Sequence, residues 1–66
     1  MAQLIFNVWF ERLIEQLSAV ESDRDLDRGE ILLITNTTED DLRELHRYGW
    51  TVIETARAMI DKVNLR

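Results

Sequence analysis

Apolar residues recur at helical spacing along two long stretches of this 66-residue chain. In the first stretch they follow steps of four, three, four and three, which places them on one stripe of a helix. The stripe consists of Phe6, Phe10, Leu13, Leu17 and Val20. The residues that widen it on either side are Ile5, Trp9 and Ile14. This pattern predicts a first helix over residues 3–21.

The second stretch predicts one long helix from about Thr38 to Asn64. Thr38 and Asp41 approximate a capping box, and acidic side chains suit the positive end of a helix dipole. Beyond them, apolar or small residues recur at alternating steps of three and four, as in a heptad repeat. We predict that these seven positions form a helix-packing seam: Leu42, Leu45, Gly49, Val52, Ala56, Met59 and Val63. Gly49 would then lie in mid-helix, where its missing side chain permits another helix to approach closely.

Two segments leave an alternative open. Residues 22–29 form a polar connection, and the apolar run over residues 31–34 has no period, so it suits a short helix or an extended connector packed on the core. If Gly49 instead ends a helix, residues 31–35 and 50–54 become short strands and the fold is α+β. The unbroken heptad phase favours the all-α fold. We therefore predict an antiparallel helical hairpin in which residues 1–66 form a single small domain.

The small size of the chain predicts self-association. Chains of this length bury about 60% of their unfolded surface, so many depend on disulfides, metals or association. The sequence has no cysteine and one histidine, which leaves association as the available route. Its 45% hydrophobic content is typical of a folded protein. We expect a homodimer in which two hairpins complete a four-helix bundle.

The net charge of −5 limits the classes of partner that this chain is expected to bind. Nucleic acids and anionic membranes attract clustered Lys and Arg, so an acidic chain is expected to bind neither. No apolar run approaches the roughly 20 residues that cross a bilayer. The first residues also lack the basic and small-residue features of a signal peptide. These properties predict a soluble cytoplasmic protein.

A set of aromatic, aliphatic and arginine side chains is the strongest candidate for contact with another protein. Ile53 and Ile60 widen the apolar arc of the predicted last helix, and Trp50 lies one turn before Ile53. Trp, Tyr and Arg dominate the energetics of protein interfaces. The predicted interaction residues are Trp9, Arg47, Tyr48, Trp50, Ile53, Arg57 and Ile60.

No residue pattern predicts catalysis, a metal or a cofactor. His46 lacks the further ligands that a metal site needs, and the acids between residues 21 and 30 lack the closing Glu and the correctly placed Gly of a calcium loop. Residues 41–61 resemble the front of a helix-turn-helix, but we expect no recognition helix to follow them. The leading hypothesis is a non-enzymatic adaptor or inhibitor of another protein. A purely structural self-associating subunit is the alternative, and a nucleic-acid-binding regulator is a distant third.

Overall fold

The computed structural model describes residues 4–64 and contains four α-helices joined by short turns. Helix α1 spans Phe6–Asp23, α2 spans Glu30–Ile34, α3 spans Glu39–Arg47 and α4 spans Val52–Asn64. Residues 4–64 contain no strand, so the predicted all-α class is confirmed and the α+β alternative is wrong. Gln3, where the first helix was predicted to begin, lies outside the described residues. None of the helices in the described chain combines the length and apolar character that a membrane span requires.

Helix α1 is the element on which the others pack. Its fully buried line is Trp9, Leu13 and Leu17, at steps of four residues, and the line continues to the buried carboxylate of Glu21. Phe6, Phe10 and Val20, predicted to lie at the centre of the stripe, are only half-buried and flank it. The helical periodicity is therefore correct, and the face turned to the core is rotated slightly towards Trp9.

The prediction of one continuous last helix is wrong, because the chain turns at Gly49. Gly49 has φ +88°, a left-handed conformation that glycine adopts without steric cost. Its N–H donates to the His46 carbonyl at 3.1 Å, and the Trp50 N–H donates to the Leu45 carbonyl at 3.0 Å. This is a Schellman motif, which satisfies carbonyls left open at the end of α3.

The helix that follows has a start signal of its own. The Thr51 N–H donates to Glu54 Oε1 at 3.1 Å, and the Glu54 N–H donates to Thr51 Oγ1 at 3.1 Å. These reciprocal bonds form a capping box at the beginning of α4. The bond from the Thr51 backbone stabilises the charged carboxylate and lowers the pKa of Glu54. The capping box predicted for Thr38 and Asp41 is confirmed, with bonds of 3.0 and 3.2 Å.

The turn changes how the helices run relative to one another. The Trp9 indole reaches the Trp50 carbonyl at the start of α4, and the Arg24 guanidinium reaches the Asn64 side chain at its end. Helix α4 therefore runs parallel to α1, and the predicted antiparallel pairing with α1 is kept by α3.

The residues of the predicted helix-packing seam pack mainly within the core of this chain. Three of its residues are buried and three are half-buried within one core cluster, whereas Gly49 lies exposed in the turn. The buried three are Leu42, Ala56 and Met59, and the half-buried three are Leu45, Val52 and Val63. Because α3 and α4 both turn their apolar faces to the core, a sequence with unbroken heptad phase accommodates the break.

We expect Gly49→Ala to destabilise the protein. A Cβ at this position meets no atom within 4 Å, so the cost is the left-handed backbone itself, about 1–2 kcal/mol. In a continuous helix the same substitution would stabilise the protein by about 1 kcal/mol. Urea denaturation followed by circular dichroism separates the two signs. A Gly49→Ala variant with a raised midpoint would contradict the turn.

Candidate interaction site

The break at Gly49 divides the predicted interaction residues among separate parts of the molecule. Tyr48 and Trp50 lie in the turn between α3 and α4, and Arg47 lies exposed in the last turn of α3. A second group lies on α4, next to α1: Ile53, Arg57 and Ile60. The structure therefore does not bring the seven residues together on one face.

Trp9 is placed in the core and not on the surface, so its predicted role as a surface anchor is wrong for this fold. Its side chain is 0% exposed. The ring stacks on Phe6 with centroids 6.0 Å apart and meets the His46 ring edgewise at 5.4 Å. Its Nε1–H donates to the Trp50 carbonyl at 2.9 Å. Trp9 thus links the core to the backbone of the turn between α3 and α4.

Tyr48 and Trp50 line a cleft of about 410 Å³ that we call the aromatic cleft. Tyr48 is 72% exposed and Trp50 is 38% exposed, values that are high for large aromatic side chains. Apolar side chains of Leu45 and the buried Met59 also line the cleft and provide its floor. The segment 35–37, which precedes α3, also lines the cleft. Polar and charged residues make up the rest of the lining. A concave surface that combines apolar side chains with polar groups is the usual form of a binding site.

Two hydrogen bonds fix the backbone of Trp50, one at its N–H and one at its carbonyl. The Trp50 N–H is bonded to the Leu45 carbonyl, and the Trp50 carbonyl accepts from the buried Trp9 indole. The backbone of the turn is therefore fixed before any partner arrives. Preorganisation of this kind reduces the conformational entropy lost on binding.

Two carboxylates and one ammonium group line the cleft. The Asp41 carboxylate accepts a hydrogen bond from the Thr38 N–H. This bond is the main reason that the pKa of Asp41 lies below its ordinary value, and the charge of Lys62 lowers that pKa further. The Glu44 carboxylate has no hydrogen bond or ion pair within residues 4–64. The polar edge of the cleft therefore presents one carboxylate that a partner can neutralise.

A second, shallower surface lies between α1 and α4, and we call it the α1/α4 groove. Ile53 is 64% exposed there, beside Ile60, Arg57 and Gln16. Leu4 and Val52 continue the apolar surface towards the start of α1. The aliphatic and arginine residues predicted for interaction thus form a surface distinct from the aromatic cleft.

His46 serves the packing of α3 on α1. Its ring meets Phe6 and Trp9 edgewise, at centroid distances of 5.7 and 5.4 Å. Its Nε2 lies 2.5 Å from the Leu4 carbonyl oxygen, so Nε2 carries a hydrogen and donates it to that oxygen. Across the described part of the chain, His, Asp and Glu side chains form no group of three or more that could hold a metal ion.

Similarity to known proteins does not supply roles for these residues. Comparison of the chain with protein-family models, curated proteins and solved structures gives no match. Roles for the cleft residues therefore follow from their exposure, charge and placement.

Proposed function

We propose that this chain is a small non-enzymatic interaction module, an adaptor or inhibitor that binds another protein in the aromatic cleft. The observation that carries the proposal is the exposure of Tyr48 and Trp50 over an apolar floor, on a turn whose backbone is fixed from the core. Exposed aromatic side chains beside a buried apolar surface are typical of interface hot spots. The cytoplasm is the proposed location.

Site-specific crosslinking tests this proposal. A photoreactive phenylalanine analogue at position 48 should capture a discrete partner protein, while the same analogue at Leu33, which is 80% exposed on α2, should not. The captured protein is then purified and titrated into the wild-type chain by calorimetry. We expect Tyr48→Ala to weaken its binding at least 10-fold and Ile53→Ala to leave it unchanged. Equal capture at both positions, or binding insensitive to Tyr48→Ala, would contradict the proposal.

The α1/α4 groove supports self-association as a second candidate function. Ile53 is 64% exposed and lies beside the half-buried Ile60, an arrangement that a second copy could cover. On this hypothesis the chain is a homodimer and a structural subunit of a larger assembly. Sedimentation equilibrium at micromolar concentration should then give twice the chain mass, and Ile53→Glu should give the monomer mass. A wild-type monomer under these conditions overturns the homodimer.

The charges on α4 do not favour binding to nucleic acid, although α3, the turn and α4 have the order of a helix-turn-helix. Exposed Arg57 and Lys62 are balanced by exposed Glu54 and Asp61, and the whole chain carries a net charge of −5. A recognition helix in the major groove needs a positive surface around it. The nucleic-acid-binding alternative therefore stays the least supported of the three.

A further inference from the structure

We infer that the aromatic cleft takes a short amphipathic segment of another protein that carries an aliphatic anchor and, beside it, a Lys or Arg. This inference rests on the proposed function and specifies the chemistry of the partner. It follows from three properties of the cleft: its apolar floor, its length and the placement of its charges.

The apolar floor fits an aliphatic anchor. The less exposed side chains of Leu45 and Met59 form the floor, and the more exposed Tyr48 and Trp50 line the cleft beside them. These four side chains offer apolar surface, so an aliphatic side chain gains from leaving water there. The hydroxyl of the exposed Tyr48 suits the polar rim of an interface.

The length of the cleft limits the partner to a short segment. Along α3 and its C-cap residue, the cleft-lining side chains are three, one and three residues apart and share one helix face: Asp41, Glu44, Leu45 and Tyr48. From Asp41 to Tyr48 the helix rises about 10 Å, or roughly two helical turns. A partner segment of similar length would place one or two anchors and one charged side chain within the cleft.

The charges select a cation beside the anchor. Glu44 lies one turn before Tyr48 on the same face and has no ion-pair partner within residues 4–64. A Lys or Arg of the partner at this point can pair with Glu44 and also lie against the Tyr48 ring. The other carboxylate, Asp41, is bonded to the Thr38 backbone and lies near Lys62, so that end of the cleft is already balanced.

The whole-chain charge favours the same partner over a phosphate polymer or an anionic membrane. A net charge of −5 attracts basic segments over long distances and repels phosphate groups. Among the described residues that line the cleft, Lys62 is the only basic one, and Asp41 and Glu44 outnumber it. A basic amphipathic protein segment is therefore the occupant that matches both the apolar and the charged parts of this surface.

Two synthetic helical peptides test the inference. Both have 14 residues and the same leucine face, and they differ only in carrying either three arginines or three glutamates beside that face. Binding to the full chain is measured by calorimetry. We expect the arginine peptide to bind at least 10-fold more tightly than the glutamate peptide. Glu44→Gln should weaken the arginine peptide about 5-fold, and Tyr48→Ala should weaken it at least 10-fold.

Glu39→Gln is the matched control, because Glu39 lies on the same helix but is paired with Arg43 at 3.3 Å and does not line the cleft. It should leave the affinity unchanged. Equal binding of both peptides, or a Glu39→Gln effect equal to that of Glu44→Gln, overturns the choice of a basic partner. Failure of both peptides to bind, or preferential retention of an anionic vesicle or a DNA duplex, also overturns it. The proposed function falls only if the crosslink at position 48 fails as well.

Discussion

Trp9→Ala is expected to remove most of the stability of this protein. Trp9 is 0% exposed at the centre of the core and packs against the Phe6 and His46 rings. Truncation of a buried tryptophan costs about 3–5 kcal/mol, through lost transfer free energy and the cavity left behind. A 66-residue domain is typically stable by about 3–10 kcal/mol in total. We therefore expect Trp9→Ala to be largely unfolded or close to its unfolding midpoint at 25 °C.

Trp9→Phe separates the packing of the ring from its hydrogen bond. Phenylalanine retains an aromatic ring against Phe6 but leaves the Trp50 carbonyl without its donor, so a loss of about 1–2 kcal/mol is expected. Urea denaturation followed by circular dichroism measures both variants, and Trp50 remains as a fluorescent reporter of the turn. A Trp9→Ala protein within 0.5 kcal/mol of the wild type would show that the core is not organised around this ring.

Local periodicity in the sequence was sufficient to predict the helical class but not the number of helices. The apolar steps around Leu42 and Ala56 continue through Gly49 without a change of phase, and this favoured one helix. The start signal Thr51-Val-Ile-Glu54 was present in the sequence as a Ser/Thr-x-x-Glu pattern. Read together with Gly49, it marks a helix end followed by a helix start. The heptad phase indicates which residues face the core. One straight helix and two helices joined by a turn can both place those residues in the core.

The C-terminal ends of α1 and α2 were difficult to predict because residues other than glycine adopt the left-handed conformation there. Asp25 has φ 58° after α1, and Asn36 has φ 54° after α2. At each end, bonds analogous to those around Gly49 close the helix: the Leu26 N–H donates to the Glu21 carbonyl, and the Thr37 N–H donates to the Leu32 carbonyl. Asn and Asp tolerate this conformation better than other side chains, yet both also occur widely in turns and caps.

The aromatic part of the candidate site was predicted and its surroundings were not. Tyr48 and Trp50 stand out by residue type alone. Their separation from Ile53 follows from the turn. The presence of segment 35–37 and Lys62 in the same cleft depends on how α3 and α4 pack. Trp9 was misplaced because residue type cannot distinguish an interface tryptophan from a core tryptophan.

Glu21→Ala is the second substitution from which we expect a large effect. The Glu21 side chain is 3% exposed, an unusual position for a carboxylate. Its Oε1 accepts from the Gly29 N–H at 3.1 Å, and its Oε2 accepts from the Ile31 N–H at 2.9 Å. One carboxylate therefore closes the connection between α1 and α2 and satisfies two backbone donors. Its burial is compensated because charge-assisted bonds replace those with water.

Alanine at position 21 would leave those two donors without a protein partner. Hydrogen bonds to a charged group contribute about 1.5–3 kcal/mol, and a buried donor left unsatisfied adds to the loss, so we expect Glu21→Ala to cost about 2–4 kcal/mol. Exposed Glu15, on the same helix, provides the control, since Glu15→Ala should change stability by less than about 0.5 kcal/mol. Hydrogen exchange should show that the Ile31 amide loses protection first in Glu21→Ala, because α2 has only five residues and is secured by this carboxylate at its start. If the Ile31 amide exchanged no faster in Glu21→Ala than in Glu15→Ala, the carboxylate would not be what holds α2 against the core.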